Sequence, residues 1–239
     1  MSTAADNLFR NLKVSCSSCS LGELCIPHGL SRQEIDQLDH SVNHSTLLKI
    51  GDLLYKQNDT FKSLYAIKSG SVKIIVHSQD GRENVMGIYL PGEIIGFDGI
   101  ATGNYQCSIQ AIETCHVCEI NIESVHLTIP TIHLQLLKHA SKAINYSQLS
   151  YSITKACAKK RVVNFLLNLS DRYRQRGYIH TEFNLFLSRS EIGNLLNLSA
   201  ETISRCLRQL ERDAYISIEN KRRILINNTN KLQALLQDH

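Results

Sequence analysis

The hydrophobic positions change period several times along the chain, and each change predicts an element. Ser31-Arg32-Gln33-Glu34 fits a capping box, and Ile35, Leu38 and Val42 follow it at helical spacing, which predicts a short helix. From Thr46 to Ile122 the period shortens to that of strands. Leu64-Tyr65-Ala66-Ile67 and Val72-Lys73-Ile74-Ile75-Val76 flank Lys68-Ser69-Gly70-Ser71, which predicts a hairpin. Turn residues recur at Gly51-Asp52, Asp80-Gly81, Pro91-Gly92 and Thr102-Gly103-Asn104. Strands at this spacing predict an antiparallel barrel or roll of roughly 75 residues.

Helical spacing then returns. Pro130 opens a long stretch near its first turn, and Ile132, Leu136, Leu137, Ala140, Ala143, Ile144 and Ser147 form a stripe of three- and four-residue steps. Small and apolar residues there predict a coiled-coil-like seam with a second copy; packing on the chain's own roll is the alternative. Val162, Val163, Phe165, Leu166 and Leu169 mark another helix. Ser188-Arg189-Ser190-Glu191 is a second capping box, starting a helix through Ile192, Leu195 and Leu196. After the turn Asn197-Leu198-Ser199, Ser199 caps a helix from Ala200 to Leu210. Its Ile203, Cys206, Leu207 and Leu210 share one face; Glu201, Ser204, Arg205 and Arg208 share the other. Helix, short turn and a helix with polar side chains in its N-terminal half is the layout of helix-turn-helix DNA binding. Tyr215–Glu219 and Arg223–Asn227 predict a hairpin with Asn220-Lys221-Arg222 at its tip, a wing over a phosphate backbone.

Charge sharpens this picture. From Lys138 onward 17 Lys and Arg stand against 8 Asp and Glu, a net of +9; residues 1–137 carry 9 against 14, a net of −5. A basic second half predicts a polyanionic partner there. At 239 residues, two domains are expected, and 43% hydrophobic with 20% charged residues is ordinary for a globular protein. Met1–Phe9 carries Asp6 and no apolar run, and no stretch of about eighteen apolar residues occurs, so neither a leader nor a membrane span is predicted. The eight cysteines are therefore expected in a reducing cytoplasm as thiols or ligands.

Three of them, Cys16, Cys19 and Cys25, fall in the spacing C-x2-C-x5-C with no apolar periodicity around them. Thiolates are soft ligands suited to zinc, copper(I) or iron–sulfur clusters, and Gly22 with Ser17, Ser18 and Ser20 lets the loop fold back. An iron–sulfur cluster is favoured, with a structural zinc or unliganded thiols as alternatives. Three ligands require a fourth from elsewhere. Cys115-His116-Val117-Cys118-Glu119-Ile120 offers two candidates that an extended strand points to opposite faces. Cys107 is expected to be a small buried hydrophobe.

With these residues in place, the chain resembles the CRP/FNR superfamily of bacterial transcription regulators, and specifically its oxygen-responsive FNR type. The resemblance runs from Cys16 to about Leu235. It is carried by Cys16-x2-Cys19-x5-Cys25-Ile26-Pro27, Ser63-Leu64-Tyr65-Ala66-Ile67-Lys68-Ser69-Gly70, Ile112-Glu113-Thr114, Val117-Cys118-Glu119-Ile120 and Glu201-Thr202-Ile203-Ser204-Arg205. It implies an α+β fold: an N-terminal β-roll of the cyclic-nucleotide-binding kind, a long dimerisation helix and a C-terminal winged helix-turn-helix. It implies a [4Fe–4S] cluster on Cys16, Cys19, Cys25 and, by the match Val-Cys-Glu-Ile, Cys118. Oxygen converts that cluster to [2Fe–2S] in the family, and the dimer falls apart. The dimer reads palindromes with TTGAT-type half-sites, and Glu201, Ser204 and Arg205 would touch bases. Guanidinium pairs with guanine and carboxylate accepts from cytosine. Exposed roll loops, including Ser69 and Asp80-Gly81, would meet RNA polymerase.

The expected segments are a cysteine segment over 1–30, a roll over 31–125, a dimerisation helix over 126–158 and a DNA-binding domain over 159–239. The dimer seam is expected at Leu136, Ala140, Ala143, Ile144 and Ser147, and the DNA surface at Ser199, Glu201, Ser204, Arg205, Arg208, Lys221 and Arg222. A cyclic-nucleotide sensor is disfavoured. Relatives of that type neutralise the phosphate with an arginine soon after a Gly-Glu motif; Gly92-Glu93 is present, but no Lys or Arg occurs from Glu83 to Leu137. A redox enzyme using the same cluster is also disfavoured, since no P-loop, dinucleotide fingerprint or nucleophile–base constellation occurs. The chain departs from the FNR type in one respect. The acidic seam residue expected near Ile144-Asn145-Tyr146-Ser147 is missing, and no carboxylate occurs from Ser124 to Ser170.

Overall fold

A computed structural model describes residues 15–78, 80–152 and 155–237. The chain divides into two compact units. One joins the chain up to Val76 with Ile88–Ala143; the other joins His77–Gly87 with the chain from Ile144 on.

In the first unit a short 3-10 turn, Cys16–Ser18, and a looped segment lead to helix α1 (Arg32–Ser41). Ser31 and Glu34 form the expected capping box. Eight strands follow: β1 (Val42–Leu48), β2 (Leu53–Tyr55), β3 (Leu64–Ser69), β4 (Val72–His77), β5 (Glu83–Tyr89), β6 (Ile94–Ile95), β7 (Ser108–Ala111) and β8 (Cys115–Ile120). They build two facing sheets, ordered β1-β8-β3-β6 and β2-β7-β4-β5. Val42 does not extend the first helix; it opens β1 opposite Ile120.

The hairpin expected around Gly70 is corrected by this topology, because β3 and β4 lie in different sheets. The turn residues there mark a corner between sheets. A Cβ on Gly70, whose φ is +75°, would lie 2.3 Å from the Thr114 carbonyl oxygen, in the second corner, which joins β7 to β8. Only glycine permits that approach. Local turn chemistry reports a chain reversal but not the partner of each strand.

Strand alternation then sorts residues between two cores. Tyr65, Ile67, Cys115 and Val117 face the space between the sheets, with Tyr55 stacked 3.7 Å from Tyr105. Leu64, Ala66 and Ile120 face the other side, where Ile26, Leu38, Ile129 and Ile132 cover them. That outer layer consists of the cysteine loop, α1, α2 (Ile122–Thr128) and α3 (Ile132–Ser152). Pro130 lies two residues before α3 and not in its first turn, separating α2 from α3. Asn121 caps α2 by accepting from Ser124 N.

The second unit holds α4 (Ala158–Gln175), β9 (Glu182–Asn184), α5 (Arg189–Leu196), α6 (Ala200–Arg212), β10 (Ile216–Glu219), β11 (Arg223–Ile226) and α7 (Thr229–Ala234). Val162, Val163, Phe165, Leu166 and Leu169 are buried along α4 at the spacing the sequence predicts. The wing pairs in the expected register, Ile216 opposite Ile226 and Glu219 opposite Arg223. Strand β9, which the sequence did not announce, adds a third strand beside β11, and Arg223 is ion-paired with Glu182 across it.

Candidate functional site

Four thiols from two distant parts of the chain line one cavity. Cys16, Cys19 and Cys25 come from the N-terminal loop and Cys118 from β8; the cavity spans about 490 Å3 including its open mouth. The loop turns through local backbone bonds. Gly22 N donates to Cys19 O (3.1 Å), Cys25 N to Leu21 O (3.0 Å) and His28 N to Cys25 O (3.2 Å). Asp39 of α1 holds the loop's start by accepting from Cys16 N at 2.7 Å. Cys118 shares its face of β8 with Ile120, whereas Cys115 is 0% exposed in the core between the sheets. Strand parity thus places only Cys118 beside the loop.

Burial pushes the Cys25 thiol up to about 12 and the Cys118 thiol up to about 11, with Lys68 acting against burial at Cys118. Cys16 is raised further, first by burial and then by the Asp39 carboxylate. Burial therefore favours the thiol form, and a metal that takes these sulfurs as thiolates displaces their protons. Among the described residues no three His, Cys, Asp or Glu side chains converge closely enough for one metal ion. The four thiols line the cavity, and this soft donor set suits a group held through cysteine sulfur, an iron–sulfur cluster or zinc.

The other cysteines lie apart. Cys107 is half-buried and donates to Asp98 Oδ2 (3.3 Å), so it is not the simple buried hydrophobe expected. Cys157 is exposed at the start of α4, and Cys206 is buried on α6.

In the second unit Ser188 and Glu191 form the predicted capping box of α5, and Ser199 accepts from Thr202 N to cap α6. Ile203, Cys206, Leu207 and Leu210 are buried on α6. Glu201, Arg205 and Arg208 are exposed, and Ser204 is half-exposed. Ser204 Oγ donates to Ala200 O (2.9 Å) and Arg208 Nε to Ser204 O (3.3 Å). A Cβ on Gly193 would lie 2.4 Å from Leu198 O, so this residue sets how closely the turn folds onto α5. Lys221 and Arg222 are exposed at the wing tip. Arg189 Nη2 donates to Lys221 O (3.4 Å), tying the start of α5 to the wing.

Sequence reasoning missed Arg161. Its Nε donates to Ala156 O (2.8 Å) and its Nη1 to Leu196 O and Asn197 O (each 3.2 Å). It therefore satisfies the end of α5 and the turn carbonyls, which helix geometry leaves open. In the sequence it is one cation among several.

The predicted seam divides between two faces of α3. Leu136 packs against the roll core, and Ala140 and Ala143 are half-buried. Ser147 and Ile144 are exposed, the latter at 57%, as is Leu137 at 65%.

Comparison with known proteins agrees with this architecture. The cyclic nucleotide-binding domain family matches residues 46–127, and the Crp-like helix-turn-helix domain family matches residues 160–235. The chain is 38% identical over 210 residues to the transcriptional activator protein Anr of Pseudomonas protegens, covering 86% of each. It is 37% identical over 226 residues to the fumarate and nitrate reduction regulatory protein of Salmonella typhimurium, covering 93% of this chain and 90% of that one. The structure of FixK2 from Bradyrhizobium japonicum shares the fold with a TM-score of 0.71 at 22% identity, covering 80% of this chain and 95% of that one. The chain belongs to the CRP/FNR family of transcription regulators, which bind DNA as dimers, and within it to the FNR type.

Proposed function

We propose that this chain is an oxygen-responsive transcription regulator in which Cys16, Cys19, Cys25 and Cys118 hold a [4Fe–4S] cluster. The observation that carries this is the position of Cys118 on the wall of the cavity that the three loop thiols line. The bound cluster would supply reactivity toward oxygen. The chain's own groups would supply four thiolates, a mostly apolar wall and the Lys68 charge beside Cys118. A structural zinc or another effector is the second reading, and metal analysis separates the two.

Loss of the cluster would weaken dimerisation along α3, and with it binding to TTGAT-type palindromes through the exposed face of α6. The relatives' names support transcriptional activation. Contact of the exposed roll loops with RNA polymerase and a cytoplasmic setting complete the proposal. Cyclic nucleotide is not proposed as the effector, because the segment from Glu83 to Leu137 offers no cation for its phosphate.

The test is protein reconstituted with iron and sulfide under argon and titrated onto a fluorescent TTGAT palindrome before and after air. Tight binding that is lost as the visible absorbance bleaches is expected. Equal binding before and after air would overturn the proposal.

The missing seam carboxylate has its own consequence. Like charges facing each other at a partly desolvated interface oppose association. Lys138 and Lys142 are exposed, with stems long enough to turn their ammonium groups to water. Cluster-free protein is therefore expected to dimerise more readily than relatives that carry the carboxylate, leaving oxygen control leakier, and Ser147→Asp to weaken its dimer roughly tenfold. Sedimentation of both at equal concentration checks this; a monomeric parent with an unchanged variant would contradict it.

A further inference from the structure

Two histidines meet where the outer helices of the first unit turn. His126 lies in the last turn of α2 and His133 in the first turn of α3, on either side of Pro130. His126 Nδ1 and His133 Nε2 are 2.8 Å apart, and the two ring planes cross at 61° with centroids 4.6 Å apart. His133 Nδ1 lies 3.2 Å from the Pro130 carbonyl oxygen. Both side chains are exposed, and neither lines the thiol cavity.

The carbonyl fixes the protons. It can only accept, so His133 Nδ1 carries the hydrogen and Nε2 presents a lone pair toward His126. A ring held through one nitrogen on a backbone carbonyl, with the other nitrogen turned to a shared point, is the arrangement of a metal-ligating histidine. His126 completes it by carrying its hydrogen on Nε2 instead of Nδ1. A neutral imidazole holds one hydrogen on either nitrogen, so the exchange releases no proton. The hydrogen bond given up is exposed and worth little.

Distance selects the ion. Two nitrogens at metal distances of about 2.0–2.1 Å stand about 2.9 Å apart on neighbouring corners of a square, and about 3.3 Å apart on a tetrahedron. The observed 2.8 Å matches the square. Such corners belong to nickel(II) and copper(II), which imidazole suits. Among the described residues no third His, Cys, Asp or Glu joins the pair, so water would fill the remaining positions. Charge favours a cation here. No Lys or Arg occurs from Glu83 to Leu137, and Glu123 stands three residues before His126 on α2. Lys138, five residues after His133, is turned about 140° away around α3.

We propose that His126 and His133 form a metal site separate from the four cysteines, a cis pair for a divalent ion of the nickel–copper kind that staples α2 to α3 across Pro130. It shares no residue with the cysteine site and stands whether or not a cluster binds there.

Nickel(II) is the probe, because copper(II) oxidises thiols. Reduced full-length protein with isotope-labelled histidine rings is titrated with nickel chloride under argon and followed by NMR. His126→Ala, His133→Ala and Cys118→Ser are titrated beside the parent. The two resonances that the alanine variants identify should shift or broaden together in the parent and in Cys118→Ser. In either alanine variant the remaining ring should require about tenfold more nickel or greater, because the chelate is lost. Nickel should raise the melting temperature of the parent more than that of either alanine variant. Without nickel all three should share one circular dichroism spectrum, since only an exposed contact is removed. An unchanged nickel affinity in either alanine variant would overturn the pair, as would loss of all nickel uptake in Cys118→Ser.

Discussion

Cys118→Ser is expected to leave anaerobically reconstituted protein without its cluster, while Cys115→Ser retains the parental iron and sulfide. The two residues are three apart on one short strand and carry the same side chain. What separates them is the pleat. Cys118 lies with Ile120 on the face that meets the cysteine loop, and Cys115 is fully buried with Val117 between the sheets. A serine hydroxyl is too hard a ligand to replace a thiolate on iron. At 115 it would instead bury a hydroxyl at a cost of about 1–3 kcal/mol, seen as a lower melting temperature with the cluster intact. Serine at 16, 19 or 25 should behave as at 118. Serine at 107, 157 or 206 should not affect assembly, since those side chains lie away from the cavity. Iron and sulfide per chain, measured beside circular dichroism, distinguish loss of ligand from loss of fold. A cluster kept by Cys118→Ser and lost by Cys115→Ser would place the fourth ligand on the wrong face of β8.

The same pleat shows why part of this molecule is legible in its sequence. Parity along a strand, three- and four-residue steps along α4 and α6, and the boxes at Ser31 and Ser188 depend only on neighbours in the chain. Those features appear in the structure where the residues place them. Sheet membership is different. The reversal at Gly70 is written locally, but whether β3 pairs with β4 depends on the corner at Thr114. Short elements such as α2 and β9 fall below the length at which a period shows. The packing of Leu136 against the roll was not legible for a related reason. A helix with apolar residues on two faces shows one broad stripe, and only the roll beneath it decides which residues it covers. The groups that position others were silent as well. Asp39 on Cys16 N and Arg161 on the α5 carbonyls are polar residues whose partners lie 23 and 35 residues away in the chain, on other elements. Nothing in their own neighbourhood marks them.

On DNA the largest single loss is expected from Arg205→Ala. Arg205 lies on the exposed face of α6, one residue after Ser204 and four after Glu201, in the half of the helix that begins at the Ser199 cap. A guanidinium there can donate two bonds to guanine O6 and N7, and losing such a pair costs about 1–3 kcal/mol at each half-site. Because a palindrome is bound by two copies, the loss counts twice, roughly 30-fold to 20,000-fold in affinity. It should be accompanied by relaxed preference at one base position, with little change on random duplex. The wing is expected to behave differently. Lys221 and Arg222 sit at a tip where Asn220 and Lys221 take φ of +47° and +62°, and both cations are exposed on the hairpin's end. Cations so placed reach phosphate, which carries no sequence information. Lys221→Ala or Arg222→Ala should weaken specific and random DNA alike and reduce the salt slope by about one per lost phosphate contact. Anisotropy titrations over a range of salt, with a TTGAT palindrome and a scrambled duplex, separate the two behaviours. Equal losses on both duplexes for Arg205→Ala would move that residue from a base to the backbone and leave the specificity of α6 to Glu201 and Ser204.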